Sequence, residues 1–284
     1  MNAACIVLTA GSRPAEVARA LDSALAQEGS PEVWLVCNGC EPPAVGAGVR
    51  VLALPENVGP AAARNRAVEA VRADVLFFLD DDTSYPDRDL VARALSRFDA
   101  EPRLGIVSFR IDDPSGRPGQ RRHVPRLRAG DPRRSSDATT FLEGACAIRA
   151  SVFAEVGGYP EEFYFGHEGT DLAWRALDAG YAVRYAGDLA VAHPSEPAER
   201  HAWFHRTTAR NRVFLARRRL PWLLAPIYVA VWMVLTLARA RSLADARALL
   251  AGFGAGFREP AGERKPIRWS TVARMTRAGR PPII

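Results

Sequence analysis

Five consecutive apolar residues, Val75-Leu76-Phe77-Phe78-Leu79, run straight into three aspartates, Asp80-Asp81-Asp82. An apolar run of that length with no polar alternation reads as a strand buried on both faces. Such strands belong to sheets covered by helices on either side, so this one segment points to an α/β fold. Its end delivers three carboxylates to one place. Adjacent anions repel, and they lose hydration if the strand end lies in a cleft. A divalent cation such as Mg²⁺ or Mn²⁺ relieves both problems and would in turn hold a diphosphate. The alternative is a solvated acidic turn completed by Thr83, Ser84 and Pro86; context separates the two.

That context is a repeating pattern. Residues 4–8, 33–36, 49–54 and 106–109 read as further strands. Residues 14–27 carry Val17, Leu21, Ala24 and Leu25 at helical spacing, 60–71 read as a helix opened by a proline, and 89–98 as another. Strand and helix in alternation predict a mostly parallel, Rossmann-like sheet flanked by helices. Ligands of such sheets gather beyond the carboxyl ends of the strands. Thr9-Ala10-Gly11, Cys37-Asn38-Gly39 and the aspartates all stand at such ends. Residues 112–137 then dissolve into Pro, Gly, Arg, Ser and Asp, too long for an ordinary connection and so either disordered or a functional lid. Order returns at 141–149, with helices over 151–156 and 171–179 and two short strands at 182–185 and 189–192, ending at His193. Gly157-Gly158 and Gly180 close those two helices.

The 284 residues suffice for a domain over 1–195, with a loop at 112–137, and a helical extension over 196–284. The chain is basic, with 38 Lys+Arg against 32 Asp+Glu, and Lys265 is its only lysine. Arginine alongside abundant alanine suggests a GC-rich genome, and no aromatic platform interleaves the basic residues, so nucleic-acid binding is not indicated. Much of the charge lies late, in Arg217-Arg218-Arg219 and the arginines after Arg258, which fits an anionic membrane surface. Residues 220–238 hold no charged residue in nineteen. At about 1.5 Å per residue they would just cross a core of about 30 Å. A span, an interfacial hairpin with 243–257 and a buried helix all remain open, with membrane association short of a span preferred.

Cys5, Cys37, Cys40 and Cys146 read as reduced thiols; the single CxxC has no second CxxC or histidine pair to complete a zinc site. With no secretory signal visible, the expected location is cytoplasmic, at the inner face of the cell membrane. No GxGxxG follows the first strand, which argues against a dinucleotide-binding domain.

Taken in order, Val7-Leu8-Thr9, Val36-Cys37-Asn38-Gly39, Glu56-Asn57-Val58-Gly59-Pro60, Ala63-Arg64-Asn65, Leu79-Asp80-Asp81-Asp82, Gly144-Ala145, Gly157-Gly158-Tyr159 and Glu168-Gly169-Thr170-Asp171-Leu172 with Arg175 and Gly180-Tyr181 form a distinctive series. Over about residues 4–195 the chain resembles the inverting glycosyltransferases of family 2, which have the GT-A fold. The resemblance implies a nucleoside-diphosphate-sugar donor, a Mg²⁺ or Mn²⁺ ion, and a glycan, lipid-linked or small-molecule acceptor. Asp82 matches the metal ligand, Asp80 would face ribose, sugar or metal, and Asp81 fits either role. His193 stands where a second metal ligand is common; a capping or core histidine is the alternative. Thr9, Asn38 and Asn57 would line the nucleoside pocket, and Arg64 and Asn65 would sit near the nucleotide or its phosphates.

An inverting transfer needs a base to take the acceptor proton. The family draws it from an acidic pair opening the helix near residue 168, and here the usual second acid is Gly169. Glu168 and Asp171 remain as candidates, Glu168 preferred because it would precede the helix and project into the cleft. Asp171 would cap the helix or orient the acceptor, and His167 is a third base candidate. Cys37 departs from an aspartate that contacts base or ribose in many relatives. Arg121, Arg122, Arg126, Arg133 and Arg134 of the long loop would meet acceptor phosphates, or belong to a disordered segment. A degenerate sugar-nucleotide-binding module and a nucleotidyltransferase are the competing functions, the latter weakened by the poor phosphate loop at Thr9–Pro14.

Overall fold

The computed structural model describes residues 1–117, 120–125, 127, 130–194 and 202–284, and the Arg122 side chain is likewise outside the description. Its elements in chain order are β1 (Ala3–Thr9), α1 (Pro14–Leu25), β2 (Glu32–Asn38), β3 (Val49–Leu54), α2 (Gly59–Ala70), β4 (Val75–Asp80), α3 (Leu90–Ala100) and β5 (Leu104–Asp112). Then come β6 (Ser136–Asp137), β7 (Ala145–Arg149), α4 (Ala150–Val156), α5 (Glu168–Asp178) and β8 (Ala182–Ala192). The C-terminal region adds α6 (Ala202–Arg219), α7 (Leu224–Leu237), α8 (Leu243–Arg258) and α9 (Trp269–Arg277).

One eight-stranded sheet runs β3-β2-β1-β4-β7-β5-β8-β6. β1 pairs in parallel with β2 on one side and β4 on the other. The strand order therefore reverses between β1 and β4, and the crevice outside their carboxyl ends is where α/β sheets bind ligands. Side chains alternate across the sheet. Ile6, Val36 and Phe78 face a core shared with α2, α4 and α5, whereas Cys5, Val7, Leu35, Phe77 and Leu79 face α1 and α3. Prolines open α1 and α2, and Gly157, in the left-handed region at φ 86°, closes α4.

Several details differ from the sequence reading. The sheet is mixed: β7 runs antiparallel between β4 and β5, and β6 is antiparallel to β8. The expected pair of strands at 182–185 and 189–192 is one strand, interrupted by a bulge where Phe109 pairs with Ala186 but Arg110 with Ala190. α5 begins at Glu168 rather than at Asp171. Of the loop arginines, Arg121 donates to the carbonyls of Val124 and Leu127, while Arg126 and the Arg122 side chain lie outside the described residues.

The apolar stretch 220–238 does not form a single helix. Pro221 sits in a turn and α7 covers 14 residues, about 21 Å at 1.5 Å per residue. Among the described residues, no helix is long and apolar enough to cross a membrane. Instead Tyr228 and Val229 of α7, Phe214 and Leu215 of α6, Phe253 of α8 and Met275 of α9 join the core beneath α5. The boundary at 195/196 falls just inside the undescribed stretch 195–201.

Candidate active site

A cleft of about 550 Å³ opens at the ends of β1, β2 and β4, and Thr9, Asn38, Asn57, Arg64, the three aspartates, Glu143, Glu168 and His193 line it. Each aspartate has its own partner. Arg64, reaching in from α2, donates from Nη2 to Asp80 Oδ1 at 2.7 Å. The hydroxyl of Thr9 donates to Asp81 Oδ2 at 2.7 Å. Asp82 meets the Arg13 guanidinium through Oδ2 and His193 Nε2, at 3.3 Å, through Oδ1. His193 is delivered there by backbone pairing: Ser84, just after the aspartates, exchanges N–H···O bonds of 3.0 and 2.8 Å with Ala192.

Asp82 and His193 thus offer an oxygen and an imidazole nitrogen to one point, and His193 Nδ1 is buried without a hydrogen-bond partner. Among the described residues no cluster of three His, Cys, Asp or Glu side chains is arranged to hold an ion. An ion held here would take one carboxylate and one imidazole from the protein, and water and phosphate oxygens would have to fill its other positions. Asp81 carries a raised pKa, chiefly from burial and only then from its acidic neighbours, with the Thr9 hydrogen bond opposing.

At the end of β2, Asn38 Nδ2 donates to Asn57 Oδ1 at 2.9 Å, and Asn57 Oδ1 also accepts the Gly59 N–H. Asn38 Oδ1 in turn accepts from Val58 N–H, so the two asparagines fix the turn into α2. Gly39 is required there: at φ 71° a Cβ would drive into the backbone of Asn57. Cys37 is fully buried on the α1 side and does not line the cleft. Burial, followed by nearby Cys40, pushes its thiol up to about 11.

Two candidates stand away from the cleft. Asn65, next to Arg64 but on another face of α2, accepts Tyr159 N–H and donates to Tyr159 O, both at 2.9 Å, and so fastens the turn after α4. Asp171, on α5, is fully buried, and its carboxylate is taken up by arginines rather than by the backbone N–H groups of the helix start. Its carboxylate receives Arg175 Nε at 2.7 Å and Arg219 Nε at 2.7 Å, with Arg218 Nε at 3.4 Å. Burial alone would raise its pKa, but Arg175, Arg219 and Arg218 outweigh that and hold it below the usual aspartate value.

Glu168 is the first residue of α5 and only 3% exposed, yet it lines the cleft and leaves Oε2 without a hydrogen-bond partner. Burial, then the neighbouring Glu143, pushes its pKa up to about 8, with Arg64 opposing. Glu143 is the residue that sequence reading missed. Its Oε1 accepts Gly169 N–H at 2.8 Å, and a Cβ at position 169 would collide with its carboxyl group. Buried Arg64 answers these acids: desolvation would lower its pKa, but Asp80, Tyr159, Glu168 and Glu143 raise it. The loop leading into α5 bends through left-handed backbone at Tyr164 and His167. Buried Asn211 of α6 holds that loop, donating to the carbonyls of Phe163, Phe165 and Gly166 at 2.8, 2.9 and 2.7 Å.

Residues 5–157 match the profile of Glycosyl transferase family 2. The pre-mycofactocin glycosyltransferase of Mycobacterium tuberculosis is 31% identical over 185 residues, covering 60% of this chain and 35% of that protein. The chain thus spans about a third of that relative's length. Among solved structures, the mannosyltransferase PcManGT from Pyrobaculum calidifontis, in complex with GDP-Man and Mn²⁺, aligns over 92% of this chain and 81% of its own with a TM-score of 0.59 and 21% identity. S. aureus TarS 1-349 in complex with UDP-GlcNAc aligns over 96% and 83% with a TM-score of 0.62 and 15% identity. At these identities the likeness is one of fold.

Proposed function

The chain belongs to glycosyl transferase family 2, and from that premise we propose that it moves a sugar from a nucleoside-diphosphate sugar to a hydroxyl acceptor, with inversion at the anomeric carbon. One observation carries the mechanism: Glu168, desolvated and with a free carboxyl oxygen, shares one cleft with the aspartates. The acceptor hydroxyl gives its proton to Glu168 as its oxygen bonds to the anomeric carbon. The bond from that carbon to the phosphate oxygen breaks, and the nucleoside diphosphate leaves. Glu143 and Arg64 set the charge around the base. Asp82 and His193 would hold Mg²⁺ or Mn²⁺, with Asp80 and Asp81 beside them. That ion would neutralise charge on the departing diphosphate. Structural neighbours crystallised with GDP-Man and Mn²⁺ or with UDP-GlcNAc support the donor class.

Gly169 favours a second reading, a sugar-nucleotide-binding module without chemistry, because the usual second acid is missing. Glu143 weighs against it by bringing a carboxylate to that place. The test is a panel of UDP, GDP and dTDP sugars with Mn²⁺, followed for nucleotide binding and for release of nucleoside diphosphate. Binding with release, lost in Asp82→Ala, supports transfer. Binding without hydrolysis or transfer across a broad acceptor panel supports the module.

Membrane attachment belongs to the same proposal. Trp222, in the turn before α7, and Val234, Leu243 and Phe257 on the C-terminal helices are exposed among arginines. This suits interfacial docking on the inner face of the cell membrane. Co-sedimentation with vesicles containing anionic lipid, abolished in Trp222→Ser/Leu243→Ser, checks it; equal sedimentation of the variant refutes it.

A further inference from the structure

A second cavity, about 310 Å³, adjoins the cleft and shares Glu143 and His167 with it. It lies on the Glu168 side and is walled by α5 and the C-terminal helices. Its composition differs from that of the donor cleft. Trp174, Tyr228 and Trp232 supply aromatic walls, and Arg212 and Arg280 supply charge. Arg212 lies over the Trp232 ring at 3.6 Å, with Tyr228 Oη at 3.5 Å as its hydrogen-bond acceptor. Arg280 donates from Nε only weakly, to the main-chain oxygen of Ile284 at 3.4 Å. Among the described residues, neither guanidinium is paired with an acidic side chain; Glu143, the acidic side chain lining this cavity, is turned to Gly169 N–H. Trp232 Nε1 is buried without an acceptor. The positive field is felt nearby: burial first, then Arg212 and Arg280, holds His167 well below the usual histidine pKa.

Two partly buried cations without a side-chain counter-ion, beside an unsatisfied indole N–H and three aromatic rings, form a site suited to an oxyanion. We propose that this cavity is the acceptor subsite and that it takes a phosphate group of the acceptor on Arg212 and Arg280. Filling it from this side leaves the acceptor's hydroxyl next to Glu168, opposite the aspartates. The inference rests on the transferase reading for the word acceptor, but the phosphate site stands or falls by itself. The phosphate is shared chemistry of a sugar phosphate and of a prenyl-linked one.

The test titrates glucose 1-phosphate and geranyl phosphate into the full chain with UDP and Mn²⁺ present, following tryptophan fluorescence. Saturable binding is expected, weakened roughly ten-fold or more in Arg280→Gln and in Arg212→Gln. Arg280 lies near the chain end, so its variant keeps the test valid if Arg212→Gln fails to fold. Asp82→Asn should leave phosphate binding intact. Whichever phosphate binds tighter names the source. Methyl glucoside and geraniol binding as tightly as the phosphates overturns the inference, as does phosphate binding that survives Arg280→Gln but is lost in Asp82→Asn. Nucleotide binding is scored separately, so a cleft that takes no UDP, GDP or dTDP sinks the donor reading without altering this result.

Discussion

The Glu143 carboxyl group occupies the space into which a side chain at Gly169 would grow, and it accepts that residue's N–H at 2.8 Å. The glycine is therefore matched to a glutamate from another element. Gly169→Asp should clash with Glu143 and lower activity at least ten-fold, with a fall in melting temperature typical of overpacking by about 1–3 kcal/mol. Gly169→Asp/Glu143→Ala relieves the clash and should recover melting temperature and part of the activity. A double variant no better than the single one refutes the pairing.

Glu168→Gln should reduce sugar transfer by about 10³-fold, within the range for loss of a general base, while nucleotide affinity is unchanged. In the free protein, transfer should rise with pH through about 8 as Glu168 ionises. Glu143→Gln removes a neighbouring negative charge and should move that limb to lower pH. Arg64→Gln removes a positive one and should move it to higher pH, each by about one pH unit. Shifts of the same sign in both variants would contradict this electrostatic arrangement.

The two buried acids affect stability in opposite pH ranges. Glu168 keeps its proton in the folded protein to about 8, whereas the unfolded chain loses it near 4.5. Stability should therefore fall as pH rises between those values, and Glu168→Gln should flatten that slope. Asp171 has a lowered pKa, so its contribution is full above the unfolded value near 3.9 and is lost as pH falls below it. Chemical denaturation from about pH 3 to about pH 9 reads both.

Asp171→Asn should destabilise the protein by about 3–5 kcal/mol, because Arg175 and Arg219 are left with buried charge and no carboxylate. If the fold survives, transfer by the folded fraction should be nearly unchanged, since Asp171 does not line the cleft. A large loss of kcat at unchanged stability would instead give Asp171 a role in the chemistry.

The gathering of Thr9, Asn38 and the aspartates at one cleft was legible because contiguous residues carry it. Strands β1, β2 and β4 end at Thr9, Asn38 and Asp80, and each end follows an apolar run. What escaped depends on register and rotation. Arg64 and Asn65 are neighbours about 100° apart on α2, and alanines at 61, 62, 63 and 67 are all buried, so spacing does not say which of the two faces the cleft. Glu143 reads as part of a loop, and only the antiparallel pairing of β7 with β4, Cys146 opposite Phe78, brings it beside Asp80 and Glu168. Asp171 has the position of a capping residue, but two of its arginine partners, Arg218 and Arg219, lie about forty-eight residues later in α6.

Asn211 gives the last structural consequence. A helix outside residues 5–157, the stretch that matches the family profile, sets the backbone just before Glu168, the proposed base, by holding the carbonyls of Phe163, Phe165 and Gly166. Inheritance of the two regions is thereby linked. Exchanging the C-terminal segment for that of a relative would transplant more than a set of exposed apolar side chains, because the seat of the proposed base would travel with it.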